Sequence, residues 1–154
     1  MIDINYKLTG HGWADCVISD EKKMVTISAS YLSDALGGLL DAVLKLINGE
    51  NKVYARFDEE PGEYRWVFEK TKSNAVNLTI LEFMELYGNK PDEAGKNIFE
   101  TECDLKDLVA ALFKAADKIF KDYGMEKYKE EWLEHEFPHK QYEDMGKWLA
   151  ENAS

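Results

Sequence analysis

Two sets of alternating strands, separated by one segment of helical period, limit what this chain can fold into. Residues 2–8 put Ile2, Ile4, Tyr6 and Leu8 on one face and Asp3, Asn5 and Lys7 on the other. A half-buried strand has this period of two. Residues 13–19 alternate again, with Ala14, Cys16 and Ile18 opposite Trp13, Asp15 and Val17. Val25, Ile27 and Ala29 mark a third run. Thr9-Gly10-His11-Gly12 and Asp20-Glu21-Lys22-Lys23 link these runs, and links so short make antiparallel neighbours. Further on, Val53, Ala55 and Phe57, then Tyr64, Trp66 and Phe68, then Val76, Leu78 and Ile80 repeat the pattern as a second meander.

Between the meanders the period becomes helical. Leu32, Ala35, Leu36, Leu39, Leu40, Val43, Leu46 and Ile47 keep i, i+3/i+4 spacing. Ser30 or Ser33 offers a cap, and Asn48-Gly49 ends the segment. Gly37-Gly38 costs about 1 kcal/mol per glycine in a helix, so close packing on the sheet is expected there, with a hinge as the alternative. Residues 87–97 are polar and rich in turn formers, a loop open to motion. A short strand fits Ile98 to Cys103. Asp104 then caps a helix whose buried face is Leu105, Leu108, Leu112, Ala115, Ile119 and Tyr123, ended by Gly124. Residues 125–135 and 139–152 read as two shorter helices parted by Phe137-Pro138.

The expectation is therefore a single α+β domain over residues 1–154. Its antiparallel sheet has about six strands, three before the first helix and three after. Two to three C-terminal helices, from about residue 104, pack on that sheet. Trp13, Val17 and Tyr54 fall opposite the core face. Either the helices split over both faces, or this face binds something.

Hydrophobic residues make up 45% of the 154, enough for a core in one domain. Thirty acids against 19 bases leave a net charge of −11. That field repels nucleic acid and anionic membranes, which need clustered Lys and Arg, and it either serves solubility alone or attracts a basic partner. The start, Met1-Ile2-Asp3-Ile4-Asn5-Tyr6, has neither the basic nor the apolar region of a secretory signal. The longest apolar candidate, Leu32 to Ile47, is broken by Asp34, Asp41 and Lys45 and falls short of a membrane span. Cys16 and Cys103 form no CxxC and read as buried thiols. A cytoplasmic protein is expected.

No catalytic, cofactor or metal motif stands out. His11 lies between two glycines in a turn. His135 and His139 are four apart, but Pro138 separates them and no HExxH pattern supports a metal. Neither cysteine has an adjacent histidine, and no GxSxG, GxGxxG or GxxxxGK[ST] is present. Glu82 and Glu85 read as a solvated strand face.

The densest feature is Asp58-Glu59-Glu60-Pro61-Gly62-Glu63-Tyr64-Arg65-Trp66. Its Pro-Gly pair suits a loop of four or five residues, with Asp58–Glu63 partly outside the ladder. Tyr64 and Trp66 share the face of Phe57 and Phe68, which favours the core, with anchors of a partner surface as the alternative. Arg56 and Arg65 stand opposite acids on neighbouring strands, with Glu63 and Glu69 as expected partners.

Gly10-His11-Gly12-Trp13-Ala14, Ala29-Ser30-Tyr31-Leu32-Ser33-Asp34-Ala35-Leu36 and Glu59-Glu60-Pro61-Gly62-Glu63-Tyr64-Arg65-Trp66 together resemble a family of small acidic bacterial proteins of unknown function. The resemblance spans roughly residues 1–137 and carries no catalytic motif. In type, though not in motif, the chain is also similar to immunity proteins of bacterial toxin systems. These likenesses imply a non-catalytic module that binds a basic toxin domain of the nuclease type. The candidate contact residues are Asp58, Glu59, Glu60, Glu63, Arg65 and Trp13, since carboxylates imitate the phosphates such an enzyme binds. Two other readings compete. One is a small-molecule-binding protein or enzyme with a pocket between sheet and helices, around His11, Trp13 and residues 87–97. The other is a homodimer formed through the exposed sheet face.

Overall fold

The computed structural model describes every residue except 73, 86, 87, 134 and 154. Strands β1 (Asp3–Gly10), β2 (Trp13–Ser19) and β3 (Met24–Ser30) form an antiparallel sheet in that order. Strands β4 (Lys52–Asp58), β5 (Glu63–Lys72), β6 (Ala75–Phe83) and β7 (Lys96–Asp104) form a second. The α+β class and both meanders are as expected, but the strands divide into two sheets instead of one. Each meander is fixed by its own short turns. No such turn ties β3 to β4, because helix α1 (Ala35–Ile47) lies between them. The short run at Ile98 to Cys103 is the middle of β7.

The inner faces of the two sheets share one core with the helices. The Tyr6 ring of the first sheet meets Phe57 of the second edge-on at 6.2 Å. Trp66 lies 5.3 Å from Phe57 and 6.0 Å from Phe68, centroid to centroid. Tyr64 and Trp66 are buried, as the alternation requires.

Helix α1 is capped by Asp34 rather than by a serine: its Oδ1 accepts from Gly37 N at 3.2 Å. The expected reason for the glycine pair changes with it. A Cβ on Gly37 would sit 2.2 Å from Asp34 Oδ2, so Gly37 makes room for the cap and not for the sheet. Gly38 has nothing within 4 Å of such a Cβ, and its presence has no packing explanation. Helix α2 (Leu105–Trp132) begins on Asp104, whose Oδ1 accepts from Lys106 N at 2.8 Å. Gly124, at φ 69° and ψ −175°, breaks it where the sequence placed its end, and helix resumes beyond. Helix α3 (His139–Glu151) folds back on α2. There Tyr142 stacks on Phe113 at 5.0 Å and its hydroxyl donates to Asp117.

The outer faces differ. That of the first sheet is open, with Asn5, Lys7, Trp13, Asp15 and Thr26 exposed. That of the second carries a small buried cluster of Val67, Leu81 and Phe83. Gly95 lies flat on it, where a Cβ would be 2.7 Å from the Phe83 ring. The polar loop that the sequence left open to motion is pinned at Asp92. This carboxylate accepts from Arg65 at 2.8 Å and from the Tyr54 hydroxyl at 3.3 Å, with Lys52 Nζ at 3.9 Å. Among the described residues, no helix is long and apolar enough to cross a membrane.

Candidate functional site

The three sequence blocks meet at one end of the molecule, around the segment that joins β3 to α1. Gly12 N donates to Glu131 O at 2.7 Å, which ties the β1–β2 turn to the end of α2. Gly12 has φ +77°, and a Cβ there would lie 2.8 Å from Tyr31 Cδ1 and 3.1 Å from Leu133 Cδ1. Only glycine fits both the backbone and the space. Ser33 accepts twice, its hydroxyl from Asp58 N and its carbonyl from Trp132 Nε1, both at 3.2 Å. The glycine turn, the α1 entry and the acidic loop are thus one assembly.

That assembly presents Trp13. It lies opposite Ser30 in the β2–β3 ladder, on the open face of the first sheet, and is 37% exposed. On the same face and strand pair, Asp15 lies opposite Ser28. Ser28 Oγ donates to Glu59 Oε2 at 2.6 Å, and the Tyr64 hydroxyl donates to that oxygen at 3.1 Å. Burial, with Glu59 beside it, pushes the Tyr64 hydroxyl up to about 12, so it stays a donor at neutral pH. Glu59 is thereby fixed where the acidic loop meets the first sheet.

The loop itself has four residues, 59–62, between the ladder partners Asp58 and Glu63. Glu59 N and Glu60 N both donate to Gly62 O, at 2.9 and 3.3 Å, across a cis Glu60–Pro61 bond. Gly62 packs so closely on β6 that a Cβ would meet Phe83 O at 2.4 Å.

The structure divides the four carboxylates that the sequence grouped. Glu60 is exposed and Glu59 half-buried, and Glu59 is tied through Ser28 to the sheet face that carries Trp13. Asp58 (0% exposed) and Glu63 (5%) are buried on the far side of the loop. Asp58 Oδ1 pairs with Arg56 Nε at 2.8 Å. Arg65 pairs with Asp92, across 27 positions of sequence, where the ladder had suggested Glu63 or Glu69. The sequence does not single out Ser28 or Asp92, and it offers Ser33 as a cap and not as the acceptor it is. Each acts through a contact more than 20 positions away, for which local pattern holds no signal.

The remaining candidates lie elsewhere. His11 is exposed, with Nδ1 4.0 Å from Glu131 on the rim of the same end. His139 packs on Phe120 and pairs with Glu143 at 3.4 Å. Cys16 and Cys103 are free thiols. Burial pushes both upward, Cys103 to about 12, so neither is a thiolate nucleophile at neutral pH. Among the described residues, no group of three His, Cys, Asp or Glu side chains is placed to hold a metal ion.

No family model matches the sequence, and no curated protein matches it closely enough to count as a relative. Among solved structures, the fold is similar to a chain of the "CdiA-CT/CdiI toxin and immunity complex from Enterobacter cloacae". The TM-score is 0.52 at 12% sequence identity, over 76% of this chain and 99% of that one.

Proposed function

We propose that this chain is a non-catalytic, cytoplasmic protein-binding module of bacterial origin, an immunity protein that neutralises a basic toxin domain of the nuclease type. The observation that carries this reading is the placement of Trp13 on an open sheet face beside Asp15 and the anchored Glu59. An exposed tryptophan on a sheet face that also carries carboxylates supplies both parts of a tight interface. The ring anchors by burial, and the carboxylates steer a basic partner and discriminate against others. The net charge of −11 extends that attraction beyond contact range. Glu59 and Glu60 are the carboxylates that would occupy phosphate positions on the toxin. Asp58 acts from beneath, where its N–H bonds Ser33 at the base of the loop, while Glu63 and Arg65 lie away from the surface that would meet the toxin.

The structural neighbour supports the reading through its fold, since it is a chain of a toxin and immunity complex. The likeness to small acidic bacterial proteins belongs to the same proposal. The test is co-expression with the protein encoded immediately upstream. Rescue of growth by the wild-type chain, and its loss with Trp13→Ala combined with Glu59→Gln and Glu60→Gln, is expected. A toxic neighbour that the chain fails to neutralise would overturn the proposal.

A further inference from the structure

A cleft crosses the outer face of the second sheet, away from the Trp13 surface. It consists of two adjoining openings of about 220 Å³ each, which share Glu63, Arg65 and Asn89. Glu63 is 95% buried, yet among the described residues its carboxylate has no hydrogen bond or ion pair. The adjacent Arg65 is committed elsewhere. Its guanidinium bonds Asp92 at 2.8 Å and lies over the Phe83 ring at 4.3 Å. A carboxylate that lines a cleft with no hydrogen bond or ion pair of its own leaves its acceptors open to a cation with donors.

We propose that this cleft binds an organic cation of about amino-acid size, with a guanidinium or primary ammonium head group on Glu63. Phe83 and Met84 give its alkyl stem an apolar wall. Both signs of charge line the rest of the cleft, Glu82 and Glu85 with Lys90, Lys96 and Arg56. The opening therefore accepts a molecule that carries a carboxylate besides its cation, as well as a simple cation. Asn89 stands three residues before Asp92, which Arg65 holds at 2.8 Å. The head group comes from a free small molecule or from a basic side chain of a protein. Its chemistry at Glu63 is the same in both cases.

The test is an amide-shift titration of the full chain with methylguanidinium, agmatine, L-arginine and acetyl-Gly-Arg-Gly-amide. Tetramethylammonium at matched ionic strength is the control. Saturable shifts at Glu63, Arg65 and Asn89 are expected, with affinity reduced at least tenfold in Glu63→Gln. Ala94→Arg, at an exposed position lining the cleft, places a cation there and is expected to abolish binding without unfolding. Tighter binding of agmatine or L-arginine assigns the site to a free molecule, and tighter binding of the peptide assigns it to a protein side chain. No saturable shift with any probe, or unchanged affinity in both variants, would overturn the inference. Glu59→Gln with Glu60→Gln leaves this binding intact, so the cleft and the proposed toxin surface fail or stand separately.

Discussion

Asp58 N donates to Ser33 Oγ at 3.2 Å and so joins the last residue of β4 to the entry of α1 across 25 positions of sequence. Ser33→Ala removes that acceptor from a buried N–H and is expected to destabilise the fold by about 1 kcal/mol. Trp132→Phe deletes the bond to the Ser33 carbonyl and is expected to cost at least as much, with some packing lost as well. Urea unfolding measures both. Stabilities equal to wild type would remove Ser33 from its place at the centre of the site.

Gly12→Ala strains a backbone at φ +77° and drives a methyl group against Tyr31 and Leu133. A loss of roughly 1–3 kcal/mol is expected. The neighbouring Trp13 shifts with the turn, so partner affinity falls in the same variant. A variant with normal stability and normal partner affinity would contradict this.

Asp117 is held below the usual carboxylate range, first by the Tyr142 hydroxyl and then by Lys121. A lowered native value stabilises the fold above the ordinary carboxylate pKa, and that stabilisation is lost as pH falls through the native value. Tyr142→Phe is expected to cost about 1–2 kcal/mol at pH 7 and progressively less as the pH drops into the acid range. A pH-independent cost would mean that the hydroxyl contributes by packing alone.

Asp34 shows the opposite sign. Burial raises its carboxyl above the ordinary range, an effect that His135 partly offsets. Its stabilising contribution is therefore complete below the ordinary carboxylate pKa and is lost as pH rises through the native value. Asn caps a helix as well as Asp does. Asp34→Asn is thus expected to unfold at a higher temperature than wild type at pH 7, with the difference closing at acid pH. Equal pH profiles by calorimetry would exclude the burial penalty.

The meanders were legible because a period of two marks each strand, and the inward placement of Tyr64 and Trp66 followed from the same alternation. Asp104 as a cap, the break at Gly124 and the outward Trp13 were also readable, since each depends on its immediate neighbours. The division into two sheets was not. It depends on whether β3 and β4 pair, and no short turn in the sequence decides that. In the sequence the four carboxylates of the acidic loop read as one group. They are in fact sorted by partners far away in sequence: Glu59 by Ser28, and the Arg65 beside Glu63 by Asp92. Alternation puts Asp58 and Glu63 on the outer face but does not reveal that loop packing buries them there.

Calorimetric titration of the purified chain with the upstream-encoded protein tests the proposed binding surface most directly. Wild type is expected to bind tightly and to weaken as salt rises, because the acids screen. The triple variant Trp13→Ala, Glu59→Gln, Glu60→Gln is expected to keep its melting temperature within a few degrees and to lose at least a hundredfold in affinity, about 2.7 kcal/mol. Full affinity in that folded variant would contradict the assignment of Trp13 and the acidic loop as the binding surface.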